Sequence, residues 1–165
     1  MIQGDPSKAS ERMGSSVYLI GVALGARRNV MAATRVMFVS ANPPLLVAAI
    51  HPNRYSHDMI KEAGEFVVSV VSPAQVELAA KVGSTSGRDG DKFANLGIET
   101  VPATKISAPL LVGAAANMEC KVVDALAMGD RTLFVGEIVA LHVDEDTRPV
   151  QRLQGKYYEL GAEVY

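Results

Sequence analysis

The chain has 165 residues, a formal net charge of −2, and 48% hydrophobic and 21% charged residues. This length suits one domain with a substantial core, and the hydrophobic fraction excludes a disordered chain. The near-balance of charge argues against a nucleic-acid binder, which usually carries a basic excess. We therefore expect a single domain over residues 1–165 and no nucleic-acid partner.

Cys120 is the only cysteine, so the chain can form no intrachain disulfide and holds no C-x-x-C motif. Residues 1–14 are polar and are expected to form a loose leader without the apolar region of a secretory signal. The apolar runs have the length of strands and are too short for a membrane helix. These features predict a cytoplasmic location and no membrane partner.

Strands with short helices between them are predicted for the first two thirds of the chain. Proline breaks the pattern at Asn42-Pro43-Pro44, and Gly64 and Gly83 end two of the helices. Ser72, followed by Pro73 and Gln75, predicts a capping box. The predicted strands are 17–24, 30–40, 45–50 and 66–71, and the predicted helices are 58–63 (capped by Ser56), 73–82 and 91–96.

The last third predicts a β-hairpin. In 118–123 apolar Met118, Cys120 and Val122 alternate with Glu119 and Lys121, which is typical of a half-buried strand. A tight connection at 128–130 joins this strand to a second one at 132–143. Strands dominate, so we predict a mainly β fold, a closed or partly open antiparallel barrel with a few short α-helices. Cys120 is expected to be a small buried hydrophobe rather than a reactive thiol.

Several common catalytic constellations are excluded. The three histidines, His51, His57 and His142, do not have the spacing of a metal-ligand pair, so no metal site is predicted. The chain contains no nucleophile-elbow, P-loop or dinucleotide-binding glycine motif. A hydrolase triad and a Rossmann-type site are therefore not expected.

Two segments are rich in hydrogen-bond donors. In 29–34, Ala32 and Ala33 leave a low surface against which a flat ring could lie, between the side chains of Asn29 and Thr34. In 84–88, three hydroxyl groups, one glycine and the Arg88 guanidinium could surround a phosphate. Taken alone, the first segment could also be a small-residue packing contact and the second a solvated loop. Lys92 could likewise form a surface ion pair with a neighbouring aspartate.

Read in order along the chain, these segments resemble the flavin reductase-like family with the FMN-binding split β-barrel, which includes flavoredoxins and ferric reductases. The resemblance covers roughly residues 17 to 143. The strings that carry it are NVMAA at 29–33, NPPLLVA at 42–48, RYS at 54–56, GEFVV at 64–68, SGRD at 86–89, DKF at 91–93, ECKVV at 119–123, GD at 129–130 and TLFVGE at 132–137.

The resemblance implies a six-stranded Greek-key split barrel, a homodimer, and FMN, in preference to FAD, bound without a covalent bond near the subunit interface. It implies an oxidoreductase that moves electrons from NAD(P)H to a flavin, a metal chelate or a protein acceptor, with the chemistry on the flavin itself. The alternative is a flavin-bearing electron carrier, or an FMN-binding protein that does not use nicotinamide. The implied flavin contacts are Asn29, Val30, Met31, Ala32, Ala33, Thr34, Ala48, Ala49, Ile50, Arg54, Tyr55, Ser56, Ser84, Ser86, Gly87, Arg88, Lys92 and Phe93.

One position departs from the family. Relatives often have Gly-Asp-His-Thr where this chain has Gly129-Asp130-Arg131-Thr132. In reductases of the family that histidine lies near the nicotinamide. Arg131 cannot switch protonation near neutral pH, so as the candidate catalytic residue it would bind an anionic substrate or a nicotinamide-nucleotide phosphate. Otherwise it is an exposed arginine of the hairpin.

Overall fold

The computed structural model describes residues 4–162 and shows a mainly β fold, as predicted. The strands are β1 Ser15–Ser16, β2 Tyr18–Leu24, β3 Arg27–Ala33, β4 Val36–Ala41, β5 Pro44–Ile50, β6 Glu65–Val70, β7 Thr100–Val101, β8 Leu110–Leu111, β9 Ala116–Met128, β10 Arg131–Val143, β11 Gln151–Leu153 and β12 Lys156–Tyr158. The α-helices are α1 Tyr55–Ala63, α2 Val76–Ser84 and α3 Lys92–Asn95, and two 3-10 helices span Pro6–Arg12 and Pro73–Gln75.

The main sheet is antiparallel, has seven strands, and follows the order β3-β2-β6-β9-β10-β5-β4. Two small sheets, β1-β11-β12 and β7-β8, lie beside it. None of the helices in residues 4–162 is long and apolar enough to cross a membrane.

The main sheet is curled into a barrel that is split between its two edge strands. β3 and β4 lie at opposite ends of the strand order, yet only Thr34 and Arg35 separate them along the chain. Consecutive Cα atoms are about 3.8 Å apart, so Ala33 and Val36 are at most about 11 Å apart. The two edges must therefore come together, with the Thr34-Arg35 connection at the split.

The prediction of one strand over 30–40 was wrong for this reason, and the sheet has seven strands instead of the predicted six. Neither Thr34 nor Arg35 is a glycine or proline, so the sequence gives no break signal there.

Side chains of β5 point alternately into the barrel and toward its outer face. Ala48 and Ile50 are fully buried and pack inside the barrel, whereas Ala49 between them is only partly buried and points to the opposite face. The interior is filled by an apolar cluster that includes Ile20, Val22, Leu46, Met59, Ile60, Phe66, Val68, Cys120 and Phe134.

Three helix ends differ from the prediction, the start of α1 and both ends of α2. α1 begins at Tyr55 and is preceded by Arg54, while Ser56 lies inside the first turn and is buried. The Ser72 hydroxyl makes no capping hydrogen bond, because a 3-10 turn at Pro73–Gln75 precedes α2. α2 continues through Gly83 and ends at Ser84. The cap signals at Ser56 and Ser72 therefore do not mark the starts of α1 and α2.

The third helix is shorter than predicted, and the N-terminal segment contains a helical turn that was not predicted. The Asp91 side chain caps α3 by accepting a hydrogen bond from the Phe93 backbone N–H at 2.8 Å. Within the predicted loose leader, an exposed 3-10 helix forms at Pro6–Arg12, whereas residues 1–3 lie outside the described residues.

The two faces of β9 are both covered at its centre. Cys120 is buried as predicted, and burial raises the pKa of its thiol to about 12. Glu119, which the alternation assigned to the polar face, is also fully buried, because the 104–106 segment covers it. Burial by itself would raise the pKa of Glu119, but hydrogen bonds from Thr104, His142 and Lys105 outweigh burial and lower the pKa to about 2.

Candidate functional site

A polar cavity of about 110 Å³ opens where β3, the start of α1, the end of α2 and the following turn meet. No carboxylate lines it. The residues that line the cavity are Asn29, Met31, Ala32, Asn53, Arg54, Tyr55, Ser56, Val82, Gly83, Thr85, Ser86, Gly87, Arg88 and Lys92.

Asn29 leaves one acceptor without a partner in this cavity. Its Nδ2 donates a hydrogen bond to Ser56 Oγ at 2.8 Å, and its Oδ1 is buried with no hydrogen-bond partner among the described residues. A Cβ at position 87 would clash with the Asn29 amide and lie 2.7 Å from Tyr55 Cδ1, so only Gly87 permits this close approach. An unpartnered buried polar atom is rare in native proteins and points to a ligand or water partner.

Ser86 and Arg88 form the outer wall of the cavity. Ser86 Oγ accepts a hydrogen bond from the Arg88 backbone N–H at 3.2 Å, which leaves the hydroxyl proton available to donate. Arg88 Nη1 donates to the Asn53 carbonyl at 3.0 Å, and the guanidinium lies 5.5 Å from the centre of the Tyr55 ring. The guanidinium is thereby held in place, and it has further N–H groups that can donate to a ligand.

Lys92 is buried beneath the cavity. Its Nζ donates to the carbonyls of Val30 at 3.0 Å and Val82 at 2.9 Å, and so links β3 to α2. Burial, followed by the positive charge of Arg54, lowers the pKa of Lys92 to about 8. A neutral amine has two N–H groups, which match these two carbonyls, and only the ammonium has a third N–H for an anion in the cavity.

The chemistry of this cavity fits a phosphate group. Hydroxyl protons of Ser86 and Ser56 and the cationic groups of Arg88 and Arg54 surround a space that holds no carboxylate. Such donors form the stronger, charge-assisted hydrogen bonds with an anion. An orphaned acceptor such as Asn29 Oδ1 could in addition receive a hydroxyl proton from the chain that carries the phosphate.

A groove of about 550 Å³ adjoins this cavity, and Met31, Ala32, Arg54 and Gly83 line both. Small side chains of β3 and β5 form part of the groove surface, among them Ala33 and Ala49. Arginine and tyrosine side chains from distant parts of the chain complete it: Arg35, Arg131, Arg152 and Tyr157. The cavity and groove together could hold a flat ring beside its phosphate.

The structure brings most of the predicted contacts to these two spaces, with four exceptions. The side chains of Val30, Ala48, Ile50 and Phe93 are buried in the cores and line neither space. The predicted contacts that line the cavity or the groove are Asn29, Met31, Ala32, Ala33, Thr34, Ala49, Arg54, Tyr55, Ser56, Ser84, Ser86, Gly87, Arg88 and Lys92, and Arg131 lines the groove. Their roles toward a ligand stay predictions.

Two local alternatives from the sequence are resolved. Lys92 is not a surface ion pair, because it is buried and Asp91 pairs instead with Arg28 at 3.0 Å. The hydroxyl groups of Ser84 and Thr85 donate to the Lys81 carbonyl, each at 3.0 Å, at the end of α2. Of the three hydroxyls in the turn, Ser86 is thus the best placed to donate to a ligand.

Sequence reasoning missed several residues of the site. Asn53 contributes its carbonyl to Arg88, and Arg152 and Tyr157 reach the groove from the β11-β12 hairpin, for which no element was predicted. The Gly155 turn between two short polar strands is the one signal that could have indicated this hairpin. Among residues 4–162 there is no group of three or more His, Cys, Asp or Glu side chains that could hold a metal ion.

Comparison with known proteins finds a matching family model, similar sequences and similar structures. The family model described as flavin reductase like domain matches residues 10–161. A protein of Archaeoglobus fulgidus is 44% identical over 70% of this chain, and the match spans 64% of that protein's length. The NADH:FMN oxidoreductase of Rhodococcus qingshengii is 28% identical over 94% of this chain and 80% of its own.

The structure of the NADH:FAD oxidoreductase of Streptomyces globisporus superimposes with a TM-score of 0.91, covering 98% of this chain and 99% of that chain at 22% identity. At this identity the likeness concerns the fold, and it confirms the fold class read from the sequence.

We predict that Arg88→Ala together with Ser86→Ala weakens FMN binding about 100-fold, because two donors to the phosphate, together worth about 3 kcal/mol, are removed. Quenching of FMN fluorescence on titration measures the dissociation constant. The matched control is Arg12→Ala with Ser10→Ala, which alters the same residue types on the exposed N-terminal 3-10 helix. A dissociation constant within about twofold of the unsubstituted protein would place the phosphate elsewhere.

We also predict that FMN affinity falls as pH rises past the lowered pKa of Lys92, about 8. Below this pH the ammonium offers its third N–H to the phosphate, and above it the neutral amine does not. The FMN phosphate remains dianionic throughout this range. Between about pH 7 and about pH 9.5 the dissociation constant should rise about tenfold.

In Lys92→Met this rise should be lost, whereas Lys81→Met, on an exposed lysine of α2, should keep it. An unchanged dissociation constant across the same pH range in the unsubstituted protein would show that Lys92 does not contact the phosphate.

Proposed function

Because the chain belongs to the flavin reductase-like family, we propose that it is an oxidoreductase that binds FMN without a covalent bond and receives electrons from NAD(P)H. The observation that carries this proposal is the carboxylate-free cavity between Asn29, Ser86 and Arg88. The names of the similar proteins include both FMN and FAD, so the choice between them depends on the site. The small volume of the cavity suits a terminal phosphate, which FMN has and FAD lacks.

The groove beside this cavity supports the position of the flavin ring. Ala32 lines both spaces, so a molecule with its phosphate against Arg88 can extend over Ala32 toward Ala33 and Ala49. Methyl side chains leave a low surface for a flat ring, and burial there excludes water. When bound, the flavin supplies the capacity to take a hydride from a reduced nicotinamide and to pass two electrons to an acceptor.

The residues of the chain would contribute binding, orientation and electrostatics. Arg88 and Ser86 would hold the phosphate, and Asn29 would accept a hydroxyl proton from the ribityl chain at its free Oδ1. Arg131 lines the groove, and its planar guanidinium would bind an anion through paired N–H donors. The acceptor would be a free flavin, a metal chelate or a protein.

A second candidate function is a flavin-bearing electron carrier that does not use nicotinamide. Arg131 favours it, because the family resemblance implies a histidine near the nicotinamide at this position, which this chain lacks. Both candidates need the same flavin site, and they differ in the electron donor.

We predict that the purified protein, supplied with FMN, binds one FMN per chain and that NADH or NADPH bleaches the flavin absorption under anaerobic conditions. A colourless protein that takes up no FMN would contradict both candidates. Bleaching by a reduced protein partner, but by neither nicotinamide, would select the carrier.

The resemblance implies a homodimer, and we further propose that the two copies pair through the outer face of the sheet beside the groove. Cross-strand partners share a face, which places the side chains of Met37 and Val47 on the same face as those of Leu126, Leu133 and Ala49. Met37 is 65% exposed and Leu126 is 47% exposed, although both are apolar. Ala49 lines the groove, so a second copy on this face would help to close it.

We predict a dimer in solution that Met37→Glu with Leu126→Glu converts to a monomer, because charges would be buried at the contact. Light scattering measures the molar mass. The control Val112→Glu, on an exposed turn outside the main sheet, should remain dimeric. A monomeric unsubstituted protein would contradict the proposal.

A further inference from the structure

The groove beside the proposed flavin site is lined by four arginines, Arg35, Arg54, Arg131 and Arg152, and by no aspartate or glutamate. The chain as a whole has 16 Lys and Arg against 18 Asp and Glu, so this excess of positive charge is local. It also does not come from a basic run in the sequence. The fold brings the four side chains together from the β3–β4 connection, the residue before α1, the first residue of β10 and strand β11.

These arginines are poorly neutralised by the protein. Among the residues that the structure describes, Arg131 alone of the four has a carboxylate within 4.0 Å, with Nε 3.5 Å from Asp130 Oδ1. Two other arginines do pair with carboxylates, Arg27 with Glu62 at 3.9 Å and Arg28 with Asp91 at 3.0 Å. Like charges collected without counter-charges repel one another, and the repulsion increases where water is excluded. A bound polyanion would relieve this repulsion.

The flavin of the proposed function accounts for only part of this charge. Arg54 lines both the phosphate cavity and the groove, so we assign it, with Arg88, to the cofactor. The flat ring itself carries at most one negative charge when reduced. Arg35, Arg131 and Arg152 line the groove but not the cavity, and the flavin leaves their positive charges without an anionic partner. The groove volume, about 550 Å³, is five times that of the cavity, about 110 Å³.

We propose that Arg35, Arg131 and Arg152 bind the phosphate groups of the nicotinamide donor and that they select NADPH over NADH. The inference rests on the proposed flavin site. NADPH differs from NADH by one 2′-phosphate, which adds about 1.5 to 2 negative charges at neutral pH. Guanidinium groups bind phosphate oxygens bidentately, and an arginine accommodates this phosphate in other dinucleotide sites. The Rhodococcus relative is named for NADH, so the preference would set this chain apart from it.

The test compares NADP⁺ with NAD⁺ by isothermal titration calorimetry on the FMN-loaded protein. The two ligands differ by one phosphate and neither reduces the flavin, so the readout is binding and not turnover. We expect NADP⁺ to bind about tenfold or more tightly than NAD⁺, the effect of one charge-assisted contact. In Arg131→Gln with Arg152→Gln this ratio should fall to about threefold or less.

The matched control is Arg27→Gln, since Arg27 is an exposed arginine of β3 that lines neither space and pairs with Glu62 at 3.9 Å. It should keep the ratio of the unsubstituted protein. FMN content and flavin absorption, measured for each variant, establish that the site is folded. Equal affinity for the two ligands in the unsubstituted protein, or a ratio that survives the double substitution, would overturn the inference.

The same titration on protein without flavin separates this inference from the proposed function. If the protein took up no FMN, the flavin proposal would fail, and the ratio of the two affinities would still decide whether the arginines select the 2′-phosphate.

Discussion

Thr34 and Arg35 join two strands that lie at opposite edges of a seven-stranded sheet. Because two residues can span so little distance, the sheet has to curl until its edges meet, and the split barrel is the result. An edge strand presents unpaired backbone N–H and C=O groups. On β3, the carbonyl of Val30 accepts a hydrogen bond from Lys92 Nζ, and the following residues of β3 line the groove. The split thus creates both the space and the polar edge of the candidate site.

The candidate site has two parts, a small cavity and a larger groove, and positively charged side chains line both. In the small cavity, Lys92 is buried between two carbonyls, and burial together with the nearby Arg54 lowers its pKa. A phosphate in the cavity would reverse this effect by favouring the charged amine. In the larger groove, Arg35, Arg131 and Arg152 gather with little neutralisation by the protein. Anionic ligands would therefore stabilise both parts.

The sequence predicted the strand-rich class and most of the residues that line the cavity and the groove, because strand alternation and donor-rich turns are local signals. It failed where distant segments decide the outcome. Thr34 and Arg35 carry no break signal, and their conformation follows from closure of the barrel. Glu119 occupies a polar position in the alternation, yet the 104–106 segment covers it and provides its hydrogen bonds.

In the candidate site, too, residues with a local sequence signal were predicted and residues brought in from distant segments were not. Segments 29–34 and 84–88 were identified from their own composition, whereas Arg152 was not, because it reaches the groove through pairing of β11 with β1 at the other end of the chain. The side chains of Ala48 and Ile50 point into the core because strand alternation places them on the opposite face of β5 from Ala49, which lines the groove.

The central claim is that the cavity between Asn29, Ser86 and Arg88 binds the phosphate of the flavin. Riboflavin and FMN differ by that phosphate alone, so the ratio of their dissociation constants measures its contribution directly. The account predicts that the unsubstituted protein binds FMN about 100-fold or more tightly than riboflavin, as expected for two or more charge-assisted contacts. Equal affinity for the two flavins would contradict it.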